Sequence, residues 1–228
     1  MISVALIGLD GAGKTTVARL LGERLPLPSR YLYMGVNPDA LTVALPTTRA
    51  INALRRRRGG PVDRGPVVPD PTAPVRTRSV AKRVLGSLRS VLYTANLLAE
   101  EWYRQLHAHR STRRGEIVIF DRHFAADFLP SQHAGRPLEM SRRLHNVLLR
   151  LYPKPDLVIL LDAPAEVVFA RKGEGTVEWL AERRQGYLRA IEGPWRSTAV
   201  VDATQPVDEV VTACVELIVA SADSARSR

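Results

Sequence analysis

Short unbroken apolar runs alternate along this chain with stretches where apolar residues return every third or fourth position. The first rhythm suits strands buried on both faces, the second amphipathic helices. Ile2 to Ile7 reads as a strand, and Val17, Leu20, Leu21 and Leu25 mark a helix from about Lys14 to Leu25 that Pro26 and Pro28 stop. A short second strand is expected over Tyr31 to Met34. Periodicity then fails from Gly35 to about Arg76, where seven prolines interrupt it and only Leu41 to Leu54 keeps a helical spacing. From about Arg78 to Arg113 the apolar positions, among them Val84, Leu88, Val91, Leu98, Trp102 and Leu106, predict one long helix or two in line, ended by Gly115.

Two further apolar runs, E-I-V-I-F-D over Glu116 to Asp121 and D-L-V-I-L-L-D over Asp156 to Asp162, are strands that each close on an acid. Helices are expected at about Glu139 to Leu151, Ala165 to Arg171 and Val177 to Ile191, then a strand at Thr198 to Val201 and a closing helix at Val207 to Ala220. No internal repeat interrupts this order. Strands alternating with helices predict an α/β fold, a parallel sheet with helices on both faces. The 228 residues suffice for one such domain, 1–228.

The net charge of +10 changes this picture less than its size suggests. Between Arg49 and Ser90 eleven basic residues accompany only Asp63 and Asp70, a local excess of nine. Basicity therefore belongs to a Pro/Arg-rich insertion at 36–76 and its flank, expected to be partly disordered, and the remaining chain is close to neutral. Nucleic acid is for that reason an unfavoured partner, supported only by the insertion's excess of nine; the Arg55 to Arg58 run within it reads as a solvated or disordered basic patch. Cys214 is the single cysteine, which excludes an intrachain disulfide, and its place among Val210, Val211, Val215 and Ile218 reads as core. The first apolar run stops at Gly8, too short for a leader, and no window approaches the roughly 18 apolar residues of a membrane span. The expected setting is soluble and cytoplasmic.

Directly after the first strand, Gly8-Leu9-Asp10-Gly11-Ala12-Gly13-Lys14-Thr15 fits G-x-x-x-x-G-K-[ST] in full and opens the first helix. Glycines at 8, 11 and 13 let the backbone of Asp10 and Ala12 curl so that N–H groups face phosphates, and the helix N-terminus adds its dipole. Lys14 is placed to reach the terminal phosphates and Thr15, followed by Thr16, to offer a hydroxyl to Mg²⁺. The pattern implies a nucleoside triphosphate with Mg²⁺. Asp121, at the end of its strand and next to Arg122, adds a carboxylate for the metal beside a guanidinium that can grip a phosphate, a pairing suited to phosphoryl transfer. The alternative is a salt-bridged strand end. His123 either contacts substrate or packs near the sheet edge. Asp162 reads more simply as a cap for the helix at Ala165. His107 and His109, two apart on a helix, point to different faces and make no metal site. A switch GTPase is a poor rival: Asp121 is followed by Arg-His-Phe where D-x-x-G would stand, and no N-K-x-D occurs.

G-L-D-G-A-G-K-T-T at the start, F-D-R-H-F at Phe120 to Phe124, L-V-I-L-L-D-A-P-A-E-V-V-F-A-R-K at Leu157 to Lys172 and V-V-D-A-T-Q-P-V-D-E-V at Val200 to Val210 together resemble the thymidylate kinase superfamily of P-loop nucleoside monophosphate kinases. The resemblance covers most of the chain outside residues 36–80. It implies five parallel strands in the order 2-3-1-4-5 and a homodimer through the long helices. It also implies that Asp10 approaches the acceptor's sugar, that Arg122 grips its phosphate, and that Arg171 begins a lid over ATP. That lid is short here, 171–176.

Family members usually carry an aromatic and an arginine in the helix before the Asp-Arg strand, to stack on and read the base. This chain has L-L-A-E-E-W-Y-R-Q-L there, which leaves Trp102, Tyr103 or Arg104 to substitute beside a foreign Glu100-Glu101 pair. The expectation is an ATP-dependent kinase with Lys14, Asp10, Asp121, Arg122 and Arg171 as its catalytic set and an altered pocket for a small-molecule acceptor. A true dTMP kinase is the alternative within the class, and an NTPase that binds nucleic acid or another acidic surface is the alternative outside it.

Overall fold

The computed structural model describes residues 1–34, 42–57, 80–123 and 152–227. Its five strands are β1 (Ser3–Ile7), β2 (Ser29–Tyr33), β3 (Ile117–Asp121), β4 (Leu157–Asp162) and β5 (Thr198–Asp202). Its helices are α1 (Lys14–Arg24), α2 (Pro46–Arg57), α3 (Val80–Arg113), α4 (Ala165–Lys172), α5 (Val177–Ile191) and α6 (Val207–Arg226). The chain forms two compact units. One comprises Met1–Gly35 with Ala108–Arg228, the other Val36–His107.

The first unit holds the sheet, in the order β2-β3-β1-β4-β5 with every pair parallel. β1, β3 and β4 occupy the middle, and Val4, Ala5, Leu6 and Ile7 with Ile117, Val118 and Ile119 are wholly buried. That burial on both faces is why these strands read as continuous apolar runs rather than alternating ones. β5, at the edge, alternates instead: Val200 is exposed and Val201 buried. The step from β1 through α1 to β2 runs one way along the sheet, and the step from β4 through α4 and α5 to β5 runs the other. Right-handed crossovers therefore put α1 and the α4–α5 pair on opposite faces. α6 returns to pack on α1, where Arg24 and Asp208 form an ion pair. Cys214 sits on the inner side of α6, and burial pushes its thiol up to about 12, so it behaves as a core residue.

In the second unit α3 is a single helix of 34 residues along most of its length, not two in line. α2 runs from Pro46 to Arg57, later than the Leu41 to Leu54 window, because Pro46 fits a first helical turn. Glu100 joins these helices. Its carboxylate accepts hydrogen bonds from the Leu45 N–H at 3.0 Å and the Thr48 hydroxyl at 2.6 Å, both at the start of α2. Asn96 adds a bond to Thr48 at 3.1 Å.

Other boundaries move by a few residues. β2 begins at Ser29, because Ser29 and Arg30 pair with Ile117 and Val118 although neither is apolar. α6 continues six residues past Ala220, carried by buried Ala222. The helix expected at Glu139 to Leu151 and most of the segment 36–76 lie outside the described residues.

All five strands end toward one edge of the sheet, and two glycines there differ in the room around them. A Cβ on Gly8 would stand 2.5 Å from the Leu161 carbonyl oxygen, at a φ of +141°, whereas one on Gly13, at φ +88°, would meet nothing within 4 Å. Gly8→Ala is therefore predicted to cost about 3 kcal/mol, a Tm fall of roughly 6–12 °C, against about 1 kcal/mol for Gly13→Ala. Equal losses in thermal denaturation would contradict the close β1–β4 approach as the reason for glycine at position 8.

Candidate nucleotide-binding site

β1 delivers the chain into the turn Gly8 to Gly13, and Gly11 and Gly13 take left-handed backbone angles that side-chain-bearing residues resist. α1 then starts at Lys14 with Gly13 as its cap and no side-chain hydrogen bond to its first turn, so the N–H groups there are open to an anion. The Lys14 ammonium is buried and folded back into the loop. It donates to the carbonyls of Gly8 and Leu9, both at 2.8 Å, and lies 3.6 Å from the Asp10 carboxylate. Gly8, Asp10, Gly11, Ala12, Gly13, Lys14, Thr15 and Thr16 thus form one continuous cradle from strand to helix.

β3 ends beside this cradle. Leu6 pairs with Asp121 across β1 and β3, and Tyr33 pairs with it across β2. Asp121 is fully buried at the strand's end, and its Oδ2 accepts from the Thr15 hydroxyl at 2.7 Å and from the Tyr31 hydroxyl at 2.8 Å. Its other oxygen, Oδ1, is buried and has no hydrogen-bond partner among the described residues. A buried carboxylate oxygen left in that state is costly unless a ligand, cation or water completes it. Tyr31 was not singled out by sequence. Burial, then the negative charge and hydrogen bond of Asp121, raise its phenol above the ordinary range.

Arg122 follows in a left-handed conformation, φ 67°, the one non-glycine residue with positive φ among those described. That turn carries its guanidinium to the loop, where it pairs with the Asp10 carboxylate. Burial pushes the Asp10 carboxyl up, but Lys14, Arg122, Lys172 and Arg183 together outweigh it and hold the group below its usual range. The two residues expected to face the acceptor therefore meet each other here. His123 is fully buried, edge-on to the rings of Phe120 and Tyr152 at 5.3 and 5.4 Å, and burial lowers its pKa to about 3. It is neutral at ordinary pH and placed inside the protein, the packing reading of this residue.

α4 stops at Gly173, left-handed at φ 67°, and α5 starts after Thr176, whose side chain accepts from the Trp179 N–H. Arg171 donates to the Ala203 carbonyl at 3.0 Å, at the end of β5, and Lys172 pairs with Glu174 at 2.8 Å. Asp162 does not cap α4, which has no side-chain cap. It instead takes both ends of the Arg184 guanidinium, at 2.7 and 2.6 Å, and these bonds raise the Arg184 pKa. The neighbouring Arg183 lies over the Trp179 ring, 4.9 Å from its centroid. A cleft of about 580 Å³ opens here, lined by Asp10, Gly175, Thr176, Trp179 and Leu180. A groove of about 630 Å³ along β5 and α6, lined by Val200, Asp202, Gln205 and Glu209 of the Val200 to Val210 motif, contains none of the predicted catalytic, cofactor-binding, substrate-binding or metal residues.

Trp102, Tyr103 and Arg104 lie on α3 within the second unit. Trp102 is 44% exposed, and Tyr103 meets His107 edge-on at 4.8 Å. Arg104 is buried and paired with Glu100 at 3.3 Å and Glu101 at 3.1 Å. Among the described residues no group of three or more His, Cys, Asp or Glu side chains is arranged to hold a metal ion, and no helix is long and apolar enough to cross a membrane.

Comparison with known proteins adds a relationship over nearly the whole chain. It is 29% identical over 226 residues to a probable thymidylate kinase of Pyrobaculum aerophilum, covering 96% of each. It is 27% identical over 223 residues to a thymidylate kinase of Xylella fastidiosa, covering 94% of this chain and 89% of that one. A probable thymidylate kinase 1 of Saccharolobus solfataricus is 24% identical over 94% of this chain and 95% of its own. No family model matches.

The left-handed backbone at Arg122 yields a stability prediction. Arg122→Ala and Arg122→Gly both delete the contact with Asp10, but only glycine relieves the backbone strain. Arg122→Gly is expected to be about 1 kcal/mol more stable than Arg122→Ala in chemical denaturation. An alanine variant of equal or greater stability would show that no strain is held there.

Proposed function

We propose that this thymidylate kinase-like chain, of the P-loop nucleoside monophosphate kinase superfamily, transfers the γ-phosphoryl group of ATP to a small-molecule acceptor that it reads differently from dTMP. One observation carries the phosphotransferase reading: the buried Asp121 carboxylate, whose Oδ1 has no hydrogen-bond partner among the described residues and whose Oδ2 accepts from the Thr15 hydroxyl, beside a glycine cradle holding a buried Lys14. Thr15 and Asp121 fit Mg²⁺, which takes oxygen ligands and is commonly held by one or two protein groups together with substrate phosphates. When bound, the cation supplies neutralisation of the charge on the phosphates.

The chain's own part is positioning and electrostatics. The loop N–H groups and the open first turn of α1 bind the phosphates, and Gly8, Gly11 and Gly13 keep side chains out of their way. Lys14 exchanges the carbonyls of Gly8 and Leu9 for the terminal phosphates and balances charge as the phosphoryl group moves. Arg122 leaves Asp10 to hold an anionic group of the acceptor, and the freed Asp10 accepts from a hydroxyl. Arg171, at the head of 171–176, covers the nucleotide from the α4 side.

The acceptor's difference rests on α3. Where the resemblance expects a free arginine to read a base, Arg104 is engaged by Glu100 and Glu101. Glu100 is in turn committed to the start of α2. With its charge balanced in this way, Arg104 does not match the base-reading arginine that the resemblance implies. The second reading, a dTMP kinase, is favoured by the presence on α3 of Trp102, an aromatic ring 44% exposed.

A coupled ADP-release screen over nucleoside monophosphates, nucleosides and sugar phosphates tests both readings. The proposal expects turnover with at least one acceptor and little with dTMP. A kcat/KM for dTMP of about 10⁴ M⁻¹s⁻¹ or more would establish the second reading. Lys14→Ala should keep its fold and lose about a hundredfold or more in kcat. Undiminished turnover in that variant would remove the loop from the chemistry.

A further inference from the structure

We infer that Tyr31 is the positioning residue of the cation site, its hydroxyl holding the Asp121 carboxylate so that Oδ1 is the oxygen left for the metal. The inference rests on the proposed triphosphate and Mg²⁺ reading and adds to it a residue that neither the loop motif nor the Asp-Arg pair contains.

The geometry is specific to one oxygen. Tyr31 pairs with Ile119 in the β2–β3 register, two residues before Asp121, and only a long side chain spans that diagonal. Its hydroxyl meets Oδ2 at 2.8 Å, the same atom that accepts from Thr15 at 2.7 Å. The two donors arrive from different elements, β2 and α1, and converge on Oδ2 while Oδ1 stays buried with no hydrogen-bond partner among the described residues.

A carboxylate's terminal torsion is broad and nearly two-fold, so one hydrogen bond lets its oxygens exchange at little cost. Two donors from separate elements remove that freedom. Thr15 alone is a poor anchor, because the same hydroxyl oxygen is also the candidate metal ligand. Tyr31 has no such second duty, so it can fix the carboxylate both before and after the cation binds. Partners of this kind behind a metal ligand typically influence metal affinity by tenfold or more.

The test is Mn²⁺ binding to the protein–ADP complex, read by the loss of free-ion electron paramagnetic resonance signal, in wild type, Tyr31→Phe and Tyr31→Leu. ADP affinity in EDTA and metal-free Tm are measured alongside. We expect wild type to bind one Mn²⁺ with ADP, and Tyr31→Phe to weaken that metal about tenfold while ADP affinity in EDTA stays unchanged. Tyr31→Leu, which also loses the ring, should weaken the metal by the same factor even though its Tm falls further. If wild type holds no Mn²⁺ with ADP, the cation reading itself fails. If wild type holds it and Tyr31→Phe binds it equally well, Tyr31 does not position Asp121. A metal loss that appears only in Tyr31→Leu and follows its Tm assigns the effect to packing and equally overturns the inference.

Discussion

The pairing of Leu6 with Asp121 across β1 and β3 governs where the chemistry sits. Parallel strands in register end side by side, so the carboxylate closing β3 arrives at the level where β1 gives way to the glycine turn. The Arg122 N–H, bonded to the Leu6 carbonyl at 3.3 Å, extends that alignment one residue past the strand and starts the left-handed turn. A register shift of one residue would move Asp121 to the other face of the sheet and separate it from Thr15 and Tyr31. Both faces of β1, β3 and β4 are buried, so such a shift would press Val, Ile, Leu and Phe120 side chains into spaces of the wrong volume, and close packing opposes it. Core packing and site geometry are thus one constraint.

Under the proposed function, charge within the site is held in reserve. Lys14 is held by the carbonyls of Gly8 and Leu9, and Arg171 by the Ala203 carbonyl. These partners are ones that phosphates can replace, since an anion offers a cation more than a neutral carbonyl does. By contrast, the pairs Asp162 with Arg184 and Glu100 with Arg104 join two charged side chains that satisfy each other. The first contrast suits groups awaiting a ligand. The second suits groups that hold helices in place.

What the sequence made legible follows from range. The glycine turn, the strands and the long helix were readable because the pattern that specifies each lies within a few residues. The comparison with thymidylate kinases and the 2-3-1-4-5 sheet agree with the resemblance drawn from the same local motifs. The contacts that the sequence did not announce join distant positions. Tyr31 and Asp121 are 90 residues apart, and Arg122 and Asp10 are 112 apart. Asp162 looked like a helix cap because a cap is a local device, whereas its partner Arg184 lies 22 residues on. Tyr31 did carry one signal: a polar-tipped ring on a strand paired with the acid-ending one. Reading it required knowing that β2 and β3 are neighbours.

The central claim is that the strand-to-helix turn and the end of β3 close around one triphosphate. Hydrogen exchange with and without a non-hydrolysable ATP analogue and Mg²⁺ tests this most directly. The account predicts slowed exchange of backbone amides from Asp10 to Thr16 and at Arg122, with the buried amides of β5 unchanged. A uniform response across the chain, or none in the turn, would contradict it.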